Sequence, residues 1–289
     1  MSTSDSHVIS QVVDTDRFPL AEPGGEHWTR VIAGIRDDLA GDGCSVLANF
    51  IRPECYETLR EEGARVAPAA YYEEKTVNVY NIDLDVADLP PDHPGRITMS
   101  RGNAFVARDQ IPAAAIIHRL YTSAQFQRFL ADCFELPQLH ELADPLSGLV
   151  LNVVRPGLEH PWHFDTNEFT VSMLTQEPQG GGVFEYCPNI RSAQAENLDD
   201  VRAVLEGRGE SLIRRLSLRP GDLQLFKGRY ALHRVSQVSG ETARHSAIFA
   251  YSERPGVVGN LARTRQLFGR TRPEHLAEEG RVRVDQLMD

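Results

Sequence analysis

The chain has 289 residues, 41% of them hydrophobic and 25% charged, with a formal net charge of −11 at pH 7. That length can bury a full core as one large domain, and the acidic balance excludes the basic face that a nucleic-acid partner needs. No run of ~18 apolar residues offers a membrane span, and Cys44, Cys55, Cys133 and Cys187 lack CxxC spacing and read as reduced thiols.

The opening Met-Ser-Thr-Ser-Asp-Ser-His has no basic and apolar leader pattern, so a cytoplasmic location is expected. Residues 1–25 are polar and carry Pro19, Pro23, Gly24 and Gly25, and read as a flexible arm. Over 27–40, Trp28, Val31, Ile32, Ile35 and Leu39 recur at helical spacing. Gly41 and Gly43 end that helix, residues 44–51 read as a short strand, and Pro53 opens a second helix to about residue 66. Residues 76–81 alternate as a strand, 89–95 are turn-rich, and 100–111 read as another strand. Residues 114–135 return to a helical pattern through Ile117, Leu120, Phe126, Phe129 and Leu130.

From residue 145 the character becomes β. Strands are expected at 149–154, at 163–174 as one longer element, and at 183–187. A short helical insertion covers 198–206. Two strands flank the Pro-Gly-Asp turn within 216–226, and 232–238 with 244–252 read as a hairpin. Many short strands with Gly/Pro turns predict an α+β, mainly β architecture: a double-stranded β-helix (jelly-roll, cupin-like) core flanked by N-terminal helices. A single domain spanning 1–289 is expected, divided into the arm 1–25, a helical and mixed flank 26–144, the core 145–255 and a tail 256–289 that is basic and helical after residue 257.

Within the core, His163 and Asp165 are two residues apart, which places them on one face of a regular strand. With His233 they make two imidazoles and a carboxylate, a set that suits Fe(II) and leaves positions open for a co-substrate and O2. An HxD pair alone is a common coincidence, so the context matters. Arg244 follows His233 by eleven residues, and Ser246 stands at i+2 from it. Facing inward, the guanidinium and hydroxyl form a carboxylate clamp, and an inward Arg requires an anion. Facing outward, Arg244 is a surface charge. Both faces of residues 244–251 are apolar enough that the pattern does not fix the phase.

The pattern His163-x-Asp165…His233…Arg244-x-Ser246 resembles the Fe(II)/2-oxoglutarate-dependent dioxygenase superfamily over residues 145–255. A narrower likeness runs through residues 101–112, 160–169, 182–186 and 226–235. Those stretches are similar to the group of free amino-acid hydroxylases and radical amino-acid halogenases. In the halogenases of that group a small residue replaces the metal carboxylate. This chain keeps Asp165, so the resemblance implies hydroxylation of an unactivated C–H bond.

It further implies Fe(II) at His163, Asp165 and His233, and 2-oxoglutarate on the metal with its far carboxylate at Arg244 and Ser246. O2 would be the oxidant, with succinate and CO2 released. The implied substrate is a small free amino acid, lysine-like or aliphatic, although no inward carboxylate other than Asp165 is evident to receive a basic side chain. Desaturation or ring closure, action on a carrier-tethered residue, and a non-catalytic cupin-like binding module are the alternatives.

Other residues have two readings each. By family likeness His160 contacts the substrate; it reads equally as a capped loop histidine. Asn152 bonds the co-substrate or satisfies a neighbouring backbone group. Arg101 and Asn103 lie in a stretch that resembles the family, and Arg101 is retained as a candidate substrate contact. Asn167 shares the His163/Asp165 face if the strand stays regular. Glu168 is expected to point outward, Trp162 and Phe164 into the core, and His245 away from Arg244. Glu185 and Tyr186 line the cavity or fill core positions. The insertion 198–206 and the N-terminal helices read as a lid over a small pocket. A homodimer is the base-rate expectation.

Overall fold

The computed structural model describes residues 9–81, 89–276 and 287–288. Helix α1 (Glu26–Gly41) buries Trp28, Ile32, Ile35 and Leu39, and Gly43, at φ 67°, turns the chain out of it into β1 (Cys44–Leu47). Helix α2 (Tyr56–Val66) follows a 3-10 turn opened by Pro53. The stretch 114–135 is two helices, α3 (Ile116–Thr122) and α4 (Ala124–Cys133). Ser123 divides them because its hydroxyl accepts a hydrogen bond from Phe126 N at 3.3 Å and caps α4.

Strand β2 (Lys75–Asn78) pairs antiparallel with β3 (Thr98–Arg101). The single strand expected over 100–111 is broken after β3 and resumes as β4 (Asn103–Val106). Between them lies Gly102, where a side chain would press within 2.9 Å of Leu158.

The remaining strands are β5 (Leu149–Val154), β6 (His160–His163), β7 (Thr170–Gln176), β8 (Phe184–Cys187), β9 (Arg214–Leu216), β10 (Leu223–Phe226), β11 (Leu232–Val235) and β12 (Arg244–Phe249). Helix α5 (Leu198–Leu205) is the expected insertion, and α6 (Leu261–Phe268) lies in the tail. A six-stranded antiparallel sheet runs β1-β10-β7-β12-β5-β4, and a four-stranded one runs β9-β8-β11-β6. Two antiparallel sheets enclosing one cavity form the predicted double-stranded β-helix.

One pairing expected from the sequence does not form: β11 and β12 belong to different sheets, so 232–252 is not a hairpin. The two strands expected on either side of the Pro-Gly-Asp turn, β9 and β10, are present and likewise belong to different sheets. A period of two identifies a strand but does not name its partner, and here successive strands cross from one layer to the other.

On the outer face of the larger sheet, Leu151, Val153, Val171, Met173, Leu225, Ala247 and Phe249 share one core with helical residues Ile35, Leu39, Phe126 and Phe129. Phe126 meets Phe249 edge-on at 5.5 Å. Each such side chain contributes about 1.5–3 kcal/mol by burial. The arm expected to be loose joins this core from residue 9: Ile9, Val12, Val13, Phe18 and Leu20 are all buried, and Val13 bridges Ile51. Its apolar residues are sparse but spaced to one face, which average polarity hides. Residues 1–8 lie outside the described chain. All four cysteines are free thiols.

Candidate metal centre

The residues 163–174 are not one strand. Strand β6 ends at His163, the chain leaves the sheet, and β7 begins only at Thr170. Asp165 therefore lies in a loop, and a shared strand face is not what brings it to His163. Backbone bonds do so instead: Phe164 N donates to Val79 O, and Asp165 N to Gly228 O, both at 3.1 Å. Cross-strand register between β11 and β6 sets His233 opposite His163. Asp165 Oδ1 consequently stands 3.7 Å from His163 Nε2 and 3.6 Å from His233 Nε2. One ligand atom from each of the three residues falls within 4.8 Å of the others.

Their protonation suits a cation. His163 Nδ1 lies 2.8 Å from Pro161 O, and His233 Nδ1 lies 2.9 Å from Ala231 O. A carbonyl accepts only, so each Nδ1 donates to it and each Nε2 is turned to the centre. Burial and then the neighbouring His233 push the His163 pKa down to about 3, so the ring is neutral. Burial alone would raise Asp165, but His233, His163 and the Thr170 hydroxyl, which donates to Oδ2 at 2.5 Å, outweigh it and keep the carboxylate ionised. Two imidazoles turned inward by their Nδ1 bonds and one carboxylate, all held from outside, fit a divalent ion of the Fe(II) type.

The phase of β12, open in the sequence, places Arg244, Ser246 and Ile248 on the cavity and Ala247 in the outer core. Arg244 is 4% exposed, its guanidinium donates to the Ser246 hydroxyl, and no carboxylate among the described residues pairs with it. Burial lowers its pKa to about 10, which leaves it charged at neutral pH. A buried cation without an anion is costly, so this corner of the cavity fits an acid group of a bound molecule.

Comparison with known proteins gives a family and a fold. The profile of a family described as HalD, Halogenase D, matches residues 29–263. The chain belongs to the HalD family. None of the curated proteins matches this HalD-family chain. Among solved structures it is similar to AviO1 from Streptomyces viridochromogenes Tue57 (14% identity, 78% of this chain and 96% of that one, TM-score 0.52). It is also similar to SnoK, a non-haem α-ketoglutarate-dependent carbocyclase from nogalamycin biosynthesis (14% identity, 78% and 87% covered, TM-score 0.50). A third similar structure is a 2OG-Fe(II) oxygenase family oxidoreductase from Burkholderia pseudomallei (17%, 82% and 94%, TM-score 0.49). At such identity the first two speak for the fold alone.

In the HalD-family chain His163, Asp165, His233 and Arg244 line one cavity of about 970 Å³ between the sheets. His160 begins β6, so it is not a loop residue, and its ring stacks on His163 at 3.9 Å. Asn152 lies opposite Ser246 in register and accepts from Asn103 Nδ2 at 3.1 Å, so its neighbour is a side chain and not backbone. Arg101 is buried at the end of β3 and faces the cavity. Asn167 falls in the loop after His163, exposed at the cavity rim, because the strand on which its placement depended is interrupted.

Trp162 and Phe164 are core residues, and Glu168 is exposed. His245 packs away from the cavity, where Gly63 and Thr175 approach it. Glu185 is committed to Arg215 at 2.7 Å and Arg234 at 2.6 Å, and Tyr186 is buried in a core cluster, so neither lines the cavity.

The lid differs from the one expected. No residue of α5 or of the N-terminal helices lines the cavity, whereas Ala262, Arg263, Gln266 and Leu267 of α6 do. Asn260 caps α6 by accepting from Ala262 N and Arg263 N. Beyond it, His275 Nε2 meets Asp144 Oδ2 at 3.1 Å in full burial, and Arg270 and Arg272 both pair with Asp109. These contacts clasp the segment to the body. The sequence signal was present, an Asn cap before Leu261 and a closing Leu267-Phe268, but a basic tail helix reads as solvated surface. Thr170 and Gly228, which support Asp165, carried no signal at all.

Proposed function

We propose that this chain is an Fe(II)- and 2-oxoglutarate-dependent dioxygenase that hydroxylates an unactivated C–H bond of a small free amino acid. The observation that carries the reading is one cavity holding both His163, Asp165 and His233 and an inward Arg244–Ser246 pair with no carboxylate of its own. The chemistry supplied at the three ligands by bound Fe(II) is the four-electron reduction of O2, with 2-oxoglutarate leaving as succinate and CO2 and one oxygen atom going to the substrate.

The protein's part is placement. Arg244 and Ser246 hold the far carboxylate of 2-oxoglutarate, which orients its 2-oxo-acid end toward the metal. His160 and Arg101 lie on the same cavity wall and position the substrate, with Arg101 taking its α-carboxylate. Helix α6 covers the chamber and limits water. The cover favours a free small molecule over a residue carried on another protein. Asp165 fills a metal position that a halide would need, so oxygen transfer and not halogenation is the expected outcome in spite of the family's name.

The test is anaerobic loading with Fe(II), then O2, 2-oxoglutarate and each of the twenty amino acids in turn, reading succinate and product mass. Substrate-dependent succinate with a gain of one oxygen atom supports the reading. Loss of two hydrogens moves the reaction to desaturation or ring closure. Absence of Fe(II) binding overturns it.

A further inference from the structure

Two arginines crowd the substrate side of the cavity. Arg101, at the end of β3, is 4% exposed and its side chain makes no hydrogen bond or ion pair with a described residue; its Nε is buried without a partner. The acid nearest to influencing it, Glu73, is already committed to Lys75 at 3.0 Å and to the Tyr71 hydroxyl at 2.7 Å. Arg263 reaches in from α6, and its Nη1 donates to Gln266 Oε1 at 2.7 Å. It has no carboxylate in ion-pair range among the described residues.

The two guanidinium groups are close enough to repel. Burial and then the charge of Arg101 bring Arg263 down to about 10, against an attraction from Asp165. Asp165 is the sole carboxylate among the described residues lining the cavity, in a chain whose net charge is −11. The surface is acidic and the chamber is cationic.

A count of charges carries this further. With Fe(II) and 2-oxoglutarate in place, the metal's two positive charges and Arg244 are balanced by Asp165 and the two carboxylates of the co-substrate. Lys75 is matched by Glu73. Arg101 and Arg263 are left over. A monocarboxylic amino acid matches one of them and brings an ammonium of its own, and a lysine-like side chain would add a fourth cation to a wall with no free acid.

We propose that the substrate is a free amino acid with a second acid group, of the aspartate or glutamate class, whose two carboxylates are divided between Arg101 and Arg263. The inference rests on the oxygenase reading and deepens it: Arg263, on the helix that covers the chamber, is the residue that sets the side-chain class. Uncharged acceptors at the rim, Asn81 and Asn167, face the ammonium group.

The experiment uses the full chain, anaerobic, with Fe(II) and saturating 2-oxoglutarate so that the Arg244 site is filled. Calorimetric titrations compare L-aspartate and L-glutamate with L-asparagine, L-glutamine, L-lysine and glycerol 3-phosphate. One of the two acids is expected to bind at least ~10-fold tighter than its own amide, since the amide keeps the shape and loses the charge. Arg263→Gln should weaken that acid by roughly 10- to 100-fold while leaving its amide unchanged, and Arg263→Lys should recover part of the loss.

Equal binding of acid and amide, tighter binding of lysine or of the phosphate ester, or an Arg263→Gln variant that retains the acid's affinity overturns the proposal. The wild-type acid-to-amide ratio needs no variant, so a misfolded mutant cannot obscure the result. The visible charge-transfer band of Fe(II) chelated by a 2-oxo acid separates the two failures. If it forms and neither acid binds, the substrate class alone is wrong; if it never forms, the oxygenase reading falls and this inference with it.

Discussion

Gly228 offers the sharpest test of how Asp165 is held. Its carbonyl accepts from Asp165 N at 3.1 Å, and a Cβ built on it would stand 2.9 Å from Asp165 Cγ and 2.9 Å from Thr170 Oγ1, and closer still to Oδ2. Ordinary contact begins near 3.4 Å, so in Gly228→Ala the carboxyl carbon must retreat by at least about 0.5 Å. The φ of Gly228 lies outside the left-handed range, so alanine brings no backbone penalty of its own. Metal–ligand distances tolerate only about ±0.2 Å, and disturbing a group that supports a ligand typically costs 10–100-fold in metal affinity. The variant should therefore bind Fe(II) roughly 10- to 100-fold more weakly, about 1.4–2.7 kcal/mol, with a thermal midpoint for the metal-free protein close to wild type. Anaerobic Fe(II) titration and calorimetry read the two quantities. Wild-type Fe(II) affinity in a folded Gly228→Ala protein would refute the idea that this glycine makes room for the carboxylate.

Three further outcomes are expected. Arg244→Gln removes charge-assisted bonds of about 1.5–3 kcal/mol, so the KM for 2-oxoglutarate should rise roughly 10- to 100-fold while Fe(II) affinity stays near wild type; an unchanged KM would place the co-substrate elsewhere. Ser123→Ala removes the α4 cap and should lower stability to denaturant by about 1 kcal/mol without altering turnover. His245, buried and lowered to about 4 by burial and then by Arg244, binds its proton less readily when folded than when unfolded. Its contribution is complete above about pH 6.5 and is lost as pH falls toward 4, so stability should rise with pH across that window. His245→Gln should flatten the slope by about one proton, near 1.4 kcal/mol per pH unit, and an unchanged slope would show that His245 does not titrate there.

How far the sequence could be read follows from what each feature depends on. The helices α1 and α2 and the strands of the core were legible because burial on one face leaves a periodic trace, as at Trp28, Ile32, Ile35 and Leu39. The meeting of His163, Asp165 and His233 was legible because two of the three are near neighbours and the third lies in a strand of its own. The break after His163 was not, since Phe164 is as buried in a loop as it would be in a strand, and its backbone partner, Val79, is remote in the chain. The β9–β10 and β11–β12 crossings were equally silent, because partner choice lies in the assembled sheets. Arg263 was missed for a different reason: a cation on an amphipathic tail helix has the same local signature whether water or a cavity receives it.

The two imidazoles and the carboxylate are held in unlike ways. His163 and His233 each donate Nδ1–H to the backbone carbonyl two positions earlier, so their tautomer is written in main-chain atoms that substitution does not remove. Asp165 depends instead on the hydroxyl of Thr170 and on the empty space at Gly228. A substitution at Thr170 or Gly228 therefore reaches the carboxylate and leaves the aim of both histidines in place. Of the three candidate ligands, Asp165 is the one that leans on a neighbouring hydroxyl.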